Sequence, residues 1–273
     1  MSAVHELDVY ASANGEAQRS RDRVAVEAPL LLRLRRAGVD AGEATLLMRT
    51  PGHDEELVRG FLFCEGLLRG ERDLLGIERP EGLTGDERGN VLVADLASDA
   101  PGSLARFSIG SSSCGACGKT SLSSLDVEGD LRAAALTIAS DVLRSLPARM
   151  ADAQPTFRAT GGVHASALFS PGGDLVLARE DVGRHNALDK VVGWALRAGS
   201  LPLSSHVLLV SGRVSYDLAQ KAILCGVPVL AAVGAPSSYA VSLAARAGLT
   251  LVGFVRPESH VVYTASERVA SPT

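Results

Sequence analysis

The sequence predicts an α/β protein, and three observations carry that prediction. Its second half alternates short apolar runs with stretches at helical spacing: runs at His206–Val210, Val229–Val233 and Leu249–Val255, helical stretches at His185–Arg197, Tyr216–Leu224 and Tyr239–Ala247. Apolar runs of this length between helices are the sequence form of a largely parallel sheet covered on both faces. At 273 residues with 46% hydrophobic content, the chain can bury one large core or two smaller ones.

Taken in order, residues 1–23 are polar and poor in apolar side chains, and are expected to form a disordered tail. Residues 24–130 read as an α+β region. Pro29–Leu34 and Ala44–Met48 form two strands around the Gly38–Gly42 turn, and Leu57, Val58, Phe61, Leu62 and Leu68 repeat at helical spacing after the capping segment Thr50–Asp54. Cys64 falls in that apolar span and reads as a small core residue. Val91–Val93 and Leu104–Ile109 read as strands, the second leading into a Gly/Ser-rich loop. Residues 131–273 form the α/β region: a helix over Leu131–Leu146 stopped by Pro147, two strands at Val163–Phe169 and Leu175–Arg179 around the turn Ser170–Asp174, then the alternating pattern. The two regions can also join in one domain.

Composition removes several function classes. A net charge of −4 and a pI near 5.9 provide no basic field for nucleic acid or an anionic membrane. No apolar run reaches the length of a membrane helix, and the first residues lack the apolar core of a secretory signal. Four cysteines in a chain this long do not make a disulfide framework, so a reducing cytoplasm is expected.

Two of those cysteines dominate the chemistry. In Ser113-Cys114-Gly115-Ala116-Cys117-Gly118-Lys119 the glycines free the backbone and Lys119 adds a positive charge that favours a thiolate. The residues alone leave three readings: a sulfur-transfer or redox pair, half of a zinc site, or an incidental pair. Zinc finds little support, because no second C-x-x-C or H-x-x-x-H is present, and His164-Ala165-Ser166 follows the cysteines and lacks the glutamate of a zinc deaminase. A thioredoxin-type oxidoreductase would place its C-x-x-C at a strand-to-helix entry, which this loop does not offer.

In an α/β sheet, ligands bind beyond the carboxyl ends of the strands. The loops leaving those ends are Glu180–Asn186, Ser211–Ser215, Gly234–Ser238 and Arg256–Ser259, and they are expected on one edge of the sheet. Arg184, Arg213 and Arg256 give that edge an anionic preference, while Ser215, Ser237 and Ser238 sit where helices begin and where backbone N–H groups can hold phosphate oxygens. No P-loop and no G-x-G-x-x-G is present, which disfavours ATP hydrolysis and dinucleotide reduction. Two further segments are dense in polar groups: Thr160–His164 and Glu180–Asn186.

Together, Ser113–Gly118, Thr160–His164, Arg179–Lys190, Ser211–Arg213, Gly234–Ser238 and Gly253–Arg256 resemble the formate dehydrogenase accessory sulfurtransferase family from about Val24 onward. The resemblance implies a cytidine-deaminase-like α/β fold with a parallel or mixed sheet covered by helices, in a cytoplasmic homodimer. It implies a sulfur carrier that takes persulfide sulfur from a cysteine desulfurase and passes it to the molybdenum bis(molybdopterin guanine dinucleotide) cofactor destined for formate dehydrogenase. That cofactor is cargo, and no permanently bound metal is expected. The persulfide-carrying position falls on Cys114 and the second loop cysteine on Cys117. The cofactor-binding stretch falls on Phe254, Val255, Arg256, Pro257, Glu258 and Ser259, with Pro257 departing from the family pattern, and Arg184, Arg213, Ser237 and His164 join it from the neighbouring loops. A cofactor-holding chaperone without persulfide chemistry is the alternative.

Overall fold

The computed structural model describes residues 2–13, 16–104, 129–132 and 134–270; the predicted strand beyond Leu104, Cys114 and Cys117 lie outside them. Chain order gives β1 (Val4–Ala13), β2 (Glu16–Ala25), β3 (Ala28–Arg36), β4 (Val39–Arg49), α1 (Asp54–Cys64), β5 (Leu74–Glu78), β6 (Val91–Leu96), β7 (Ile138–Ala139), α2 (Ser140–Asp152), α3 (Pro155–Thr160), β8 (His164–Phe169) and β9 (Leu175–Asp181). Then follow α4 (Arg184–Arg197), β10 (Val207–Val210), α5 (Tyr216–Leu224), β11 (Val229–Ala232), α6 (Ser238–Ala247), β12 (Thr250–Gly253), β13 (Val261–Thr264) and β14 (Val269–Ala270).

The central sheet is mixed, in the order β13-β12-β11-β10-β8-β9. Only β10, β11 and β12 pair in parallel; β8 is antiparallel to both its neighbours, and β13 is antiparallel to β12. The expected parallel sheet is therefore confined to the three strands joined by helices, because Ser170–Asp174 returns the chain directly as a hairpin.

Alternate residues of the strands feed two layers. Leu208, Val210 and Leu230 face Leu188, Val192, Leu218, Ala222 and Leu243 of α4, α5 and α6. Val207, Leu209, Val229 and Ala231 face Leu143, Leu146 and Met150 of α2. That helix corrects the reading of residues 131–146. It starts at Ser140 and carries Pro147 inside it. A mid-helix proline removes one backbone bond and crowds the preceding turn; here Leu146 before it and Met150 after it are both anchored in the core.

A second sheet, ordered β4-β3-β6-β5, packs α1 through Leu30, Leu32, Leu34, Leu92 and Leu96 against Leu57, Phe61 and Leu62. The opposite side of α1 meets α4 at backbone distance. A Cβ on Gly60 would lie 1.8 Å from the Asp189 carbonyl oxygen, and one on Gly193 would lie 1.8 Å from that of Glu56. Cys64 is buried beside this contact, as its apolar span predicts.

Residues 4–23, which fall in the expected disordered tail, instead form with Val24 and Ala25 the antiparallel hairpin β1–β2, registered from Val4↔Ala25 to Ala13↔Glu16. Low hydrophobicity measures how much core a segment can build, whereas this hairpin closes by backbone pairing and cross-strand ion pairs such as Glu6–Arg23 at 3.0 Å.

Candidate functional site

Strand direction brings the site together. β9 and β8 alternate, so β9 runs the same way as β10, and the loops after β9, β10, β11 and β12 all leave one edge, as expected. β8 runs the other way, which sets its first residue, His164, on that same edge opposite Asp181.

Backbone bonds stitch these loops into a continuous rim. Ser211 donates its N–H to the Ala165 carbonyl at 2.9 Å, and its hydroxyl accepts the Ala165 N–H at 2.9 Å. Gly234 N–H donates to Gly212 O at 3.0 Å, Ser237 N–H to Val214 O at 2.9 Å, and Phe254 N–H to Gly234 O at 3.1 Å. A Cβ on Gly234 would lie 2.7 Å from Gly212 O, so only glycine permits this approach. Phe254 adopts φ 51 to make its bond and leaves its ring 42% exposed.

The predicted residues divide on this rim. Arg213 is exposed and Arg184 half-buried, and neither guanidinium bonds to another described residue. Arg256 is exposed but turned back, its Nη1 donating to the carbonyls of Val233 at 2.8 Å and Val255 at 2.9 Å. Pro257 and Glu258 cross an exposed turn closed by mutual backbone bonds between Arg256 and Ser259. Val255 has its side chain fully buried in the core and offers the rim only backbone. Ser237 caps α6, its hydroxyl accepting the Ala240 N–H at 3.3 Å.

His164 stands between two cavities. One, of about 230 Å³, is shared with Val182, Gly183, Arg184 and His185; the other, of about 580 Å³, with Phe157, Gly161, Gly162 and Ser211. Partial burial and then the Arg184 charge push its pKa below the ordinary histidine value, with Asp181 opposing. The imidazole is thus neutral near pH 7 and can accept or donate a proton at the rim.

The dense Glu180–Lys190 segment proves mainly architectural. Asp181 is fully buried: Oδ2 meets Lys190 Nζ at 2.7 Å and accepts the Thr50 N–H at 3.1 Å, while Oδ1 accepts from Gly183 N at 2.9 Å and Asn186 Nδ2 at 3.0 Å. Lys190 also donates to the carbonyls of Thr50 and Glu180, and Asn186 to that of Met48. Asp189 receives Lys221 Nζ at 2.6 Å on both oxygens, and its carboxylate holds that buried lysine protonated. Glu180 accepts the first-turn N–H groups of Thr156 and Phe157 in α3.

Sequence reading missed a buried His185–Asp217 pair, Nε2 to Oδ2 3.7 Å, and the Tyr216–Tyr239 ring contact at 5.3 Å, both where helices leave the rim. An acidic residue in the first turn of a predicted helix, facing a histidine in the first turn of another, was the available signal.

The family model of FdhD/NarQ matches residues 25–270. The chain belongs to the FdhD/NarQ family. Relatives named sulfur carrier protein FdhD include that of Streptomyces coelicolor, 46% identical and covering 94% of this chain and 92% of its own length. The one from Mycobacterium tuberculosis is 45% identical over 91% and 92%, and the one from Saccharolobus solfataricus 39% over 97% and 98%. A crystal structure from Desulfotalea psychrophila, described as that of a formate dehydrogenase accessory protein, superposes with a TM-score of 0.76 at 24% identity, covering 98% of this chain and 100% of that one. That likeness establishes the shared fold.

Proposed function

We propose that this chain is a sulfur carrier for formate dehydrogenase maturation, taking persulfide sulfur from a cysteine desulfurase and delivering it to the molybdenum bis(molybdopterin guanine dinucleotide) cofactor. The observation that carries the ligand half of this reading is the convergence of His164, Arg184 and Arg213, with the backbone of Gly212, Gly234 and Phe254, on one rim. Donors in that arrangement suit the diphosphate of a guanosine diphosphate arm. Arg256 joins once its guanidinium swings off its own backbone, and the exposed Phe254 ring offers a stacking face for a base.

The sulfur half rests on Cys114 and Cys117. The Cys114 thiolate attacks the outer sulfur of the desulfurase persulfide, the S–S bond breaks, and the desulfurase thiolate leaves, giving Cys114–S–SH without net redox change. Delivery of that sulfur as sulfide needs two electrons. The Cys117 thiolate supplies them by attacking the inner sulfur of Cys114, so that a Cys114–Cys117 disulfide forms as hydrosulfide departs, and an external dithiol restores the pair. Cys64 and Cys225 take no part: burial raises both thiols, Cys225 to about 12, which leaves too little thiolate to react.

Intact-mass analysis after incubation with a desulfurase and cysteine tests the reading. Wild type gains one reducible sulfur atom, as does a protein lacking Cys64, and Cys114→Ala gains none. Loading of Cys114→Ala to the wild-type level overturns the assignment.

A further inference from the structure

A second polar cleft, of about 730 Å³, opens at the start of α1 and shares no lining residue with either cavity beside His164. Four arginines line it, Arg49, Arg79, Arg179 and Arg197, together with His53, Asp54, Glu55 and Glu56. The first turn of α1 presents two carboxylates there, each held between two guanidiniums. Asp54 bonds Arg49 Nε at 2.9 Å and Arg79 Nη2 at 3.0 Å. Glu56 bonds Arg179 Nε at 2.6 Å and Arg197 Nη2 at 3.4 Å.

The inner arginines are committed. Arg49 is fully buried and bonds Asp54, Asn90 and the Ala28 carbonyl; Arg179 bonds Glu56 through two nitrogens and the Ala178 carbonyl through the third. The outer pair is more open: the Arg79 side chain, 43% exposed, donates to Asp54 and to the Gly89 carbonyl, while that of Arg197 is 51% exposed and its one bond among the described residues is the long contact to Glu56. The remaining carboxylate, Glu55, is bonded at 3.1 Å to Arg59, which does not line the cleft. His53 lines the same cleft, its side chain 54% exposed with Nδ1 3.5 Å from Glu56 Oε2, at the N-cap of α1 with φ 56 and no side-chain cap for the first-turn N–H groups. Partial burial lowers its pKa, and Arg179, Lys190 and Arg197 lower it further against Glu56, which reports a positive local field.

We propose that this cleft is a second anion site, taking a small multiply charged oxyanion, a phosphate or diphosphate group, on Arg197, Arg79 and His53. Arginine supplies donors only, and two guanidiniums sharing one carboxylate retain excess positive charge that a dianion neutralises and a chloride ion does so less well. The volume also admits such a group as part of a nucleotide. This proposal is independent of the sulfur-carrier reading.

Titration of the full chain with inorganic diphosphate, at constant ionic strength set by sodium chloride, tests it. Because the rim is itself proposed to take a diphosphate, binding is read at the cleft: the His53 imidazole resonances are expected to titrate saturably in wild type and in Arg213→Gln, and at least tenfold more weakly in Arg197→Gln and Arg79→Gln. This readout does not depend on stability. An adenosine diphosphate arm separates the sources: binding with the same Arg197 dependence identifies a nucleotide, and binding of diphosphate alone a free oxyanion. Absence of a saturable His53 response in wild type, an undiminished response in folded Arg79→Gln and Arg197→Gln, or its loss in Arg213→Gln alone overturns the site.

Discussion

The seam between α1 and α4 and the rim of the central sheet are both rich in charged groups, and they use charge in opposite ways. In and beside the seam, Asp181, Lys190, Asp189 and Lys221 are at least nine-tenths buried and their charges are spent on one another: Asp181 pairs with Lys190, both also bonding backbone groups, and Asp189 pairs with Lys221 through both carboxylate oxygens. On the rim, the Arg184 and Arg213 guanidiniums bond to no other described residue, while the backbone around them is fixed by loop-to-loop bonds. The contrast teaches that dense polar sequence is not itself a sign of a site. Glu180–Lys190 serves both regions, with its buried carboxylates in the seam and Arg184 on the rim.

Substitutions in the seam should give the largest effects, on folding. Gly60→Ala would force a methyl group into the Asp189 carbonyl, and Asp181→Ala would leave Lys190 buried without its counter-ion; breaking a buried pair typically costs about 3–5 kcal/mol. Chemical denaturation should show a loss of that order for each. A change below about 1 kcal/mol for Asp181→Ala would mean that the seam tolerates an unpaired lysine and that the comparison fails.

On the rim the order reverses, with a small effect on stability and a clear one on ligand. Arg213→Ala, being exposed, should alter stability by no more than about 0.5 kcal/mol, yet weaken guanosine diphosphate binding by about tenfold in calorimetry. Arg256→Ala should weaken binding less, because its guanidinium is already bonded to the carbonyls of Val233 and Val255. Equal affinity in wild type and Arg213→Ala would remove the rim as the cofactor site.

The smallest effect concerns His164. Burial and Arg184 depress its pKa in the folded protein below the unfolded value of 6.5, so the unfolded chain takes up the proton first and stability falls as the pH drops below that value. His53, His206 and His260 are depressed in the same direction and share the acid slope. Denaturation from pH 7.5 down to 5.5 should therefore show a shallower decline for His164→Gln than for wild type. An identical slope would mean that His164 titrates freely at the rim.

Much of this molecule was legible in the residues themselves. Periodicity located α1, α4, α5 and α6 and the strands between them, because burial of one face imposes a spacing that needs no knowledge of the partner surface. The convergence of four loops was legible for the same reason, and the motifs placed the chain in its family. The place of the β8–β9 hairpin in the sheet, the helix that runs through Pro147 and the hairpin at residues 4–25 were not, since each depends on a contact made elsewhere: the pairing of β8 with β10, core anchors on both sides of a proline, a facing strand. Nor could the string from Glu180 to Lys190 reveal which of its charges would be spent. That was decided when Gly60 and Gly193 let two helix backbones touch and carried Thr50 and Met48 from a distant strand end to Asp181, Lys190 and Asn186, leaving Arg184 on the rim. Spacing sets which side of an element is buried; only the packed neighbour determines whether a buried charge has found its partner.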